Sequence, residues 1–165
     1  VEIRSIKAGD EEALWRVLEP TIRAGETYTL SRDMSREAAL AYWTAPNHRV
    51  FVASFEGVIV GTYYMRSNQG GGGSHIANCG YITSPFAQGR GVARALCHHS
   101  LRLARELGYQ AMQFNCVVSS NERAIKLWKS FGFSIVGTIP AAFEHPSLGF
   151  VDAYVMHRSI TDDEI

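Results

Sequence analysis

The chain has 165 residues, 46% of them hydrophobic, which suits one domain with a sizeable core. Lys plus Arg equals Asp plus Glu at 16 each, so no net field favours nucleic acid or an anionic membrane. No run reaches about 18 apolar residues and no hydrophobic stretch of about 7–15 opens the chain, which argues against a membrane span or signal peptide and for a cytoplasmic protein.

Residues 1–6 alternate polar and apolar and read as a first strand. Asp10 is placed to cap a helix carrying Ala13, Leu14, Val17 and Leu18, which Pro20 should end. Ser35 is placed to cap a second helix through Trp43, so residues 21–34 become a connection that includes Gly25-Glu26-Thr27-Tyr28. Residues 49–55 and 58–64 are β-branched and aromatic runs joined by Glu56-Gly57, the pattern of a hairpin. The glycine run 69–74 precedes no helix, and its backbone entropy predicts disorder rather than an anion site.

Residues 76–83 form the fourth predicted strand, and 91–107 the main helix, with Val92, Leu96, Leu103 and Leu107 at helical spacing and Gly108 as its stop. Residues 110–118 are the next strand. Asn121 opens a short helix whose apolar stripe is Ala124, Leu127, Trp128 and Phe131, ended by Gly132. Strands at 133–138 and 150–156 complete the sheet, with 140–149 between them as a loop long enough to shape a pocket.

The chemistry concentrates at the junction Gln88-Gly89-Arg90-Gly91-Val92-Ala93, between the fourth strand and the main helix. Glycines there let backbone N–H groups close on an anion, the helix start adds partial positive charge, and Arg90 adds a full one. A Walker loop is excluded because no Gly-Lys-Ser/Thr occurs. A dinucleotide fingerprint is disfavoured because only two of its three glycines are present. The pattern Gln-x-x-Gly-x-Ala, with Pro85 just before it, instead resembles the acetyl-CoA pyrophosphate loop of the GNAT N-acetyltransferases. Residues 121–133, with Asn121, Ala124, Leu127-Trp128 and Gly132-Phe133, resemble that family's second signature, in the expected order and separation.

The resemblance spans nearly the whole chain. It implies an α/β (α+β) GNAT fold, a mixed and mostly antiparallel sheet splayed between strands four and five, with flanking helices. It also implies acetyl-CoA in that split, with pantetheine against Tyr81, Ile82 and Thr83, the pyrophosphate on Gln88, Gly89, Arg90, Gly91, Val92 and Ala93, and Trp128 packing beside it. A backbone N–H of Ile82 or Tyr81 then polarises the thioester carbonyl. Many members place Glu on strand four and Tyr in the second signature; this chain has Asn78 and Trp128 instead.

Asn78 and Asn115 are amides expected inside strands, where each needs a partner or costs about 1–3 kcal/mol. One reading is a self-satisfied pair bridging the split strands. The other follows from spacing: 37 positions separate Asn78 from Asn115 and 6 separate Asn115 from Asn121, similar to the L-azetidine-2-carboxylate acetyltransferases. That similarity implies that Asn78 and Asn115 hold the acceptor's carboxylate and position its nitrogen, that Asn121 contacts pantetheine, and that the acceptor loses its proton to water. Tyr28, Phe143 and Glu144 are further pocket candidates.

The implied acceptor is a small amino or imino acid such as azetidine-2-carboxylate or cis-4-hydroxyproline. A phosphinothricin or methionine sulfoximine type of acceptor, or a non-catalytic acyl-CoA sensor, are the alternatives. A homodimer through an exposed edge or C-terminal strand is a further expectation. Cys79, Cys97 and Cys116 lack C-x-x-C spacing and read as free, buried thiols. Adjacent His98 and His99 and four scattered histidines give no reason to expect a metal.

Overall fold

The β-rich runs pair into one seven-stranded sheet of order β1-β2-β3-β4-β5-β7-β6, and the computed structural model describes residues 1–161. The strands are β1 (Glu2–Ser5), β2 (Arg49–Phe55), β3 (Val58–Ser67), β4 (Ile76–Thr83), β5 (Ala111–Val118), β6 (Ser134–His145) and β7 (Gly149–Ser159). Every neighbouring pair is antiparallel except β4 and β5. Those two run parallel and pair only at Ile76 with Ala111 and Ala77 with Met112, after which they diverge. The expected splay is therefore present, and it leaves one edge of β4 without a strand partner beyond Ala77.

Side-chain alternation on β4 sends successive residues to opposite layers. On one face lie α1 (Glu11–Ala24) and α2 (Arg36–Trp43), where Ile82 joins Leu14, Leu18, Trp43 and Tyr64 in one core. On the other lie α3 (Val92–Glu106) and α4 (Glu122–Ser130), where Ala77 and Cys79 join Leu96, Met112 and Trp128 in the larger core. Asn78 and Gly80 share the face of Ile82. The β2–β3 turn takes positive φ at both Glu56 (52°) and Gly57 (79°), the hairpin geometry that matches strand twist.

Several local expectations are corrected. Asp10 precedes α1 but makes no capping bond. Its carboxylate is held by Arg4 Nη1 and Nη2 at 2.7 and 2.9 Å and by the Lys7 N–H at 2.9 Å. Pro20 lies inside α1, which runs on to Ala24 and stops where Gly25 turns left-handed at φ 65°. The ring removes the bond to the Arg16 carbonyl, but both residues sit on the solvent face while Leu18 and Ile22 bury the other.

Residues 140–145 are strand and only 146–148 turn, since β6 and β7 pair out to His145 with Gly149. Pro140 is tolerated because β6 is the sheet edge and bulges between Ile139 and Phe143. There Ala141, at φ 49°, donates its N–H to Asp152 Oδ1 at 3.0 Å. The glycine run contains a 3-10 turn at Gly71–Gly73 rather than an unstructured loop. Leu107 lies at the end of α3, 40% exposed, and Leu101 and Ala104 take the buried stripe instead. Cys79 and Cys97 are buried as expected, whereas Cys116 is exposed.

Candidate active site

The diverging strands open a cleft of about 1130 Å³ that runs from the α1–α2 connection, across the split, to the start of α3 and α4. The end of the cleft at the start of α3 is built largely from backbone. Gly89 and Gly91 take φ of 75° and 74° with nothing within 4 Å of where a Cβ would stand, so glycine is required there for conformation rather than for space. Gly91 has no side chain to cap α3, so the first-turn N–H groups of Val92, Ala93 and Arg94 have no intrahelical acceptor. Arg94, Arg123 and Lys126 line this end, and Arg123 Nη1 donates to Gln88 Oε1 at 2.9 Å. Arg90 behaves differently: its guanidinium lies over the Phe55 ring at 5.1 Å, and it is not among the lining residues.

The open edge of β4 has a definite phase. Asn68 N–H bonds Ile76 O at 2.7 Å and Ser84 N–H bonds Val60 O at 2.7 Å. In an antiparallel ladder this alternation turns the peptide groups of Asn78, Gly80 and Ile82 toward β3, and those of Cys79, Tyr81 and Thr83 into the split. Tyr28 confirms the phase by donating its hydroxyl to Tyr81 O at 2.9 Å. Of the two amides expected to face a thioester, Tyr81 is the one presented to the cleft. Burial pushes the Tyr28 phenol well above its ordinary value, so it stays a neutral donor.

At the far end a polar floor crosses three strands on the α1–α2 face. Arg66 on β3 stands opposite Asn78 on β4. Asn78 Nδ2 donates to Gln113 O at 3.0 Å, Gln113 Nε2 to Asn115 Oδ1 at 3.0 Å, and Asn115 Nδ2 to Asn68 Oδ1 at 2.7 Å. The two asparagines are thus tied to Gln113 and Asn68, not to each other. Asn78 is buried, whereas Asn115 is exposed rather than interior. Arg66 is half-buried, lines the cleft and has no carboxylate partner among the described residues.

Aromatic rings wall this end. Tyr42 and Tyr64 line the cleft, Tyr64 packing edge-on to Trp43 at 4.7 Å and stacking on His48 at 4.1 Å. His48 Nδ1 lies 2.9 Å from Trp43 O and must donate there, which leaves Nε2 without a proton in the neutral ring. Burial holds His48 below its ordinary value against the opposing bond to Trp43 O, with a smaller lowering from Arg66. Glu26, exposed on the α1–α2 connection, is the one carboxylate among the described residues lining the cleft.

Asn78, Asn115, Tyr81, Ile82, Thr83, Gln88, Gly89, Gly91, Val92, Ala93, Asn121 and Trp128 therefore converge on one cleft. Asn121 caps α4, its Oδ1 accepting from Ala124 N–H at 3.3 Å, while its Nδ2 has no bond within the described residues. Trp128 packs at 4.9 Å from both Tyr81 and Phe114. Tyr28 belongs to the cleft, but Phe143 and Glu144 do not, since they pair with Val151 and Phe150 in the β6–β7 ladder. Sequence reasoning missed Arg66, Asn68, Tyr64 and Arg123. Parity along β3 puts Tyr64 and Arg66 on one face, but only the β3–β4 register shows that this is the face of Asn78.

A strand edge freed beside an uncapped helix start has the shape to take an extended thioester with a phosphorylated tail, the geometry of an acyl-CoA-dependent transferase. The comparisons agree: the chain matches the acetyltransferase (GNAT) family over residues 13–133 and belongs to it. Its chemistry is acetyl-CoA-dependent N-acetyl transfer. N-acetyltransferase aca1 of Schizosaccharomyces pombe is 29% identical over 151 residues, 81% of this chain and 72% of that protein. L-amino acid N-acetyltransferase AaaT of Escherichia coli is 31% identical over 114 residues, 68% of this chain and 69% of that protein. A solved GCN5-related N-acetyltransferase from Kribbella flavida is 38% identical, with a TM-score of 0.90 over 96% of both chains. Among the described residues no helix is long and apolar enough to cross a membrane, and no group of three or more His, Cys, Asp or Glu is placed to hold a metal.

Proposed function

We propose that this acetyltransferase acts on a small amino or imino acid, of the azetidine-2-carboxylate or cis-4-hydroxyproline type. The observation that carries the reading is Arg66, a half-buried cation without a carboxylate partner among the described residues, beside the amides of Asn78 and Asn115. A carboxylate-bearing acceptor supplies the missing charge, and amides add directional hydrogen bonds to a carboxylate or an N–H without adding charge of their own. Glu26 lines the same cleft and attracts the acceptor's ammonium, so the pair suits a zwitterion. The name of the Escherichia coli relative, an L-amino acid N-acetyltransferase, agrees with this class.

In this reading the first-turn amides of α3 with Arg94, Arg123 and Lys126 hold the donor's pyrophosphate, and the Tyr81 and Thr83 peptide groups pair with its pantetheine. Asn121 Nδ2 contacts pantetheine, and Trp128 packs against the same chain. Asn78 and Asn115 orient the acceptor nitrogen toward the thioester. The ammonium gives its proton to water before attack, since the nucleophile must be neutral.

The test is thiol release from acetyl-CoA with azetidine-2-carboxylate, cis-4-hydroxyproline, phosphinothricin, methionine sulfoximine, standard amino acids and polyamines, each carboxylate paired with its carboxamide. Turnover of the cyclic imino acids, lost in their carboxamides, is the expected result. Turnover confined to phosphinothricin or methionine sulfoximine would move the substrate class. Equal turnover of acids and carboxamides would overturn the carboxylate site, and acetyl-CoA binding without any turnover would favour a sensor.

A further inference from the structure

Acetyl transfer ends with a sulfur that needs a proton. Position 128 offers only an indole, whose N–H is a hydrogen-bond donor but no useful acid. A phenol stands elsewhere. Tyr64 on β3 faces Gly80 on β4 directly. A Cβ added at Gly80 would meet Tyr64 Cε1 at 2.6 Å, Cζ at 2.7 Å and the hydroxyl oxygen at 2.9 Å. Gly80 has no positive φ to require glycine, so its role is to make room for this ring.

The ring is held on several sides. His48 stacks on it at 4.1 Å and 10°, Trp43 meets it edge-on at 4.7 Å, and Tyr42 edge-on at 6.2 Å. Among the described residues its hydroxyl meets one polar group, the Tyr42 hydroxyl at 3.5 Å. Both tyrosines line the cleft. Gly80 lies between Cys79 and Tyr81, whose peptide groups open into the split, so the phenol sits at the level where a thioester paired with that edge would present its sulfur. A clamped phenol at that level is preorganised for proton transfer.

We propose that Tyr64 is a catalytic residue of the acetyl transfer, giving its hydroxyl proton to the departing sulfur with Tyr42 as relay. The acceptor nitrogen, already neutral, bonds to the acetyl carbon, and the C–S bond breaks with its electron pair on sulfur. The Tyr64 proton passes to that sulfur. The proton shed by nitrogen passes to the Tyr42 oxygen as the Tyr42 proton moves to Tyr64, so both phenols are restored and the products are an amide and a thiol. The inference rests on acetyl transfer in this cleft, not on which amine is the acceptor.

The experiment compares wild type, Tyr64→Phe and Tyr42→Phe with whichever acceptor the wild type turns over, so a wrong substrate assignment leaves it intact. For Tyr64→Phe, kcat should fall about 100-fold with little change in acetyl-CoA affinity by calorimetry, and the Tyr42→Phe loss should be smaller, about tenfold. A second readout needs no turnover. With ¹³Cζ-tyrosine, the resonance absent from Tyr64→Phe should move on adding CoA and stay in place on adding desulfo-CoA, which lacks the sulfur. Tyr64→Phe retaining kcat within about twofold, or an identical response to CoA and desulfo-CoA, would overturn the assignment.

Discussion

Asn78 Nδ2 donates to the Gln113 carbonyl across 3.0 Å, one residue beyond the last paired positions of β4 and β5. A side chain therefore takes over where backbone pairing stops. Its reach replaces the bond a continuing ladder would have made, so the strands separate without leaving that carbonyl orphaned. Asn78→Ala should lower stability by about 1–3 kcal/mol, the price of an unpartnered buried group. Chemical denaturation reads that loss, and a change under about 0.5 kcal/mol would show the bridge to be dispensable.

Asn115 and Asn121 are expected to separate in their effects. On the proposed reading of the polar floor as the acceptor site, Asn115→Ala should lower kcat/KM for the acceptor about tenfold or more while leaving acetyl-CoA affinity nearly unchanged. Asn121→Ala removes the cap of α4 and should cost about 1 kcal/mol of stability. It should also raise the KM for acetyl-CoA. Steady-state kinetics in both substrates, with thermal unfolding, distinguishes the two, and equal stability losses with no kinetic difference would sink the division.

Arg66→Gln should weaken carboxylate acceptors by about 10–100-fold, in keeping with about 1.5–3 kcal/mol for a hydrogen bond to a charged group. A carboxamide acceptor should lose far less. The ratio of kcat/KM between acid and carboxamide, measured in both proteins, checks this without relying on absolute rates.

Arg123 reaches the loop before α3 through Gln88, the proposed pyrophosphate site, whereas Arg90 lies over Phe55. Arg123→Ala should therefore reduce acetyl-CoA affinity more than Arg90→Ala, and its loss should shrink with added salt because the contact is electrostatic. Calorimetry with acetyl-CoA and with acetyl-pantetheine, which lacks the pyrophosphate, tests it. A larger effect at Arg90 would return the cation of the loop to that residue.

Acid stability should depend on Asp10. The Arg4 guanidinium holds its carboxyl down at about 2, below the usual 3.8. A carboxyl depressed on folding contributes stability that is present above the unfolded value and lost as pH falls from near 4 through about 2. Asp10→Asn should lower stability at pH 7 by on the order of 1 kcal/mol, moderated by the partial exposure of Arg4. The variant and wild type should converge near pH 2. Denaturation midpoints across that window check the sign.

The legible parts of the molecule were those carried by local signals. Gly89 and Gly91 advertise backbone conformations that only glycine takes easily, and the periodicity after them announces a helix. The glycine turn that opens α3 is thus written in consecutive residues. Pro140 misled for the converse reason. Proline usually breaks a strand, and only its place on the edge strand, beside a bulge that Asp152 stabilises, makes the extended run 134–145 workable. Asp10 misled because its carboxylate had a charged partner six residues earlier, which outbid the weaker helix cap.

By itself the sequence determined the family, the helix and strand order and the glycine turn that opens α3, and it singled out Asn78 and Asn115, because each depends on neighbours close along the chain or on a signature with fixed spacing. Only the tertiary structure decided that Arg66, Asn68 and Gln113 complete that floor, that Arg123 rather than Arg90 reaches the loop, and that Tyr64 lies across Gly80. The floor and the Tyr64–Gly80 contact are set by the register of β3 on β4 and by where β5 leaves β4, and a shift of one residue would turn those strand side chains to the opposite face; the Arg123–Gln88 bond depends instead on how the start of α4 meets the loop before α3.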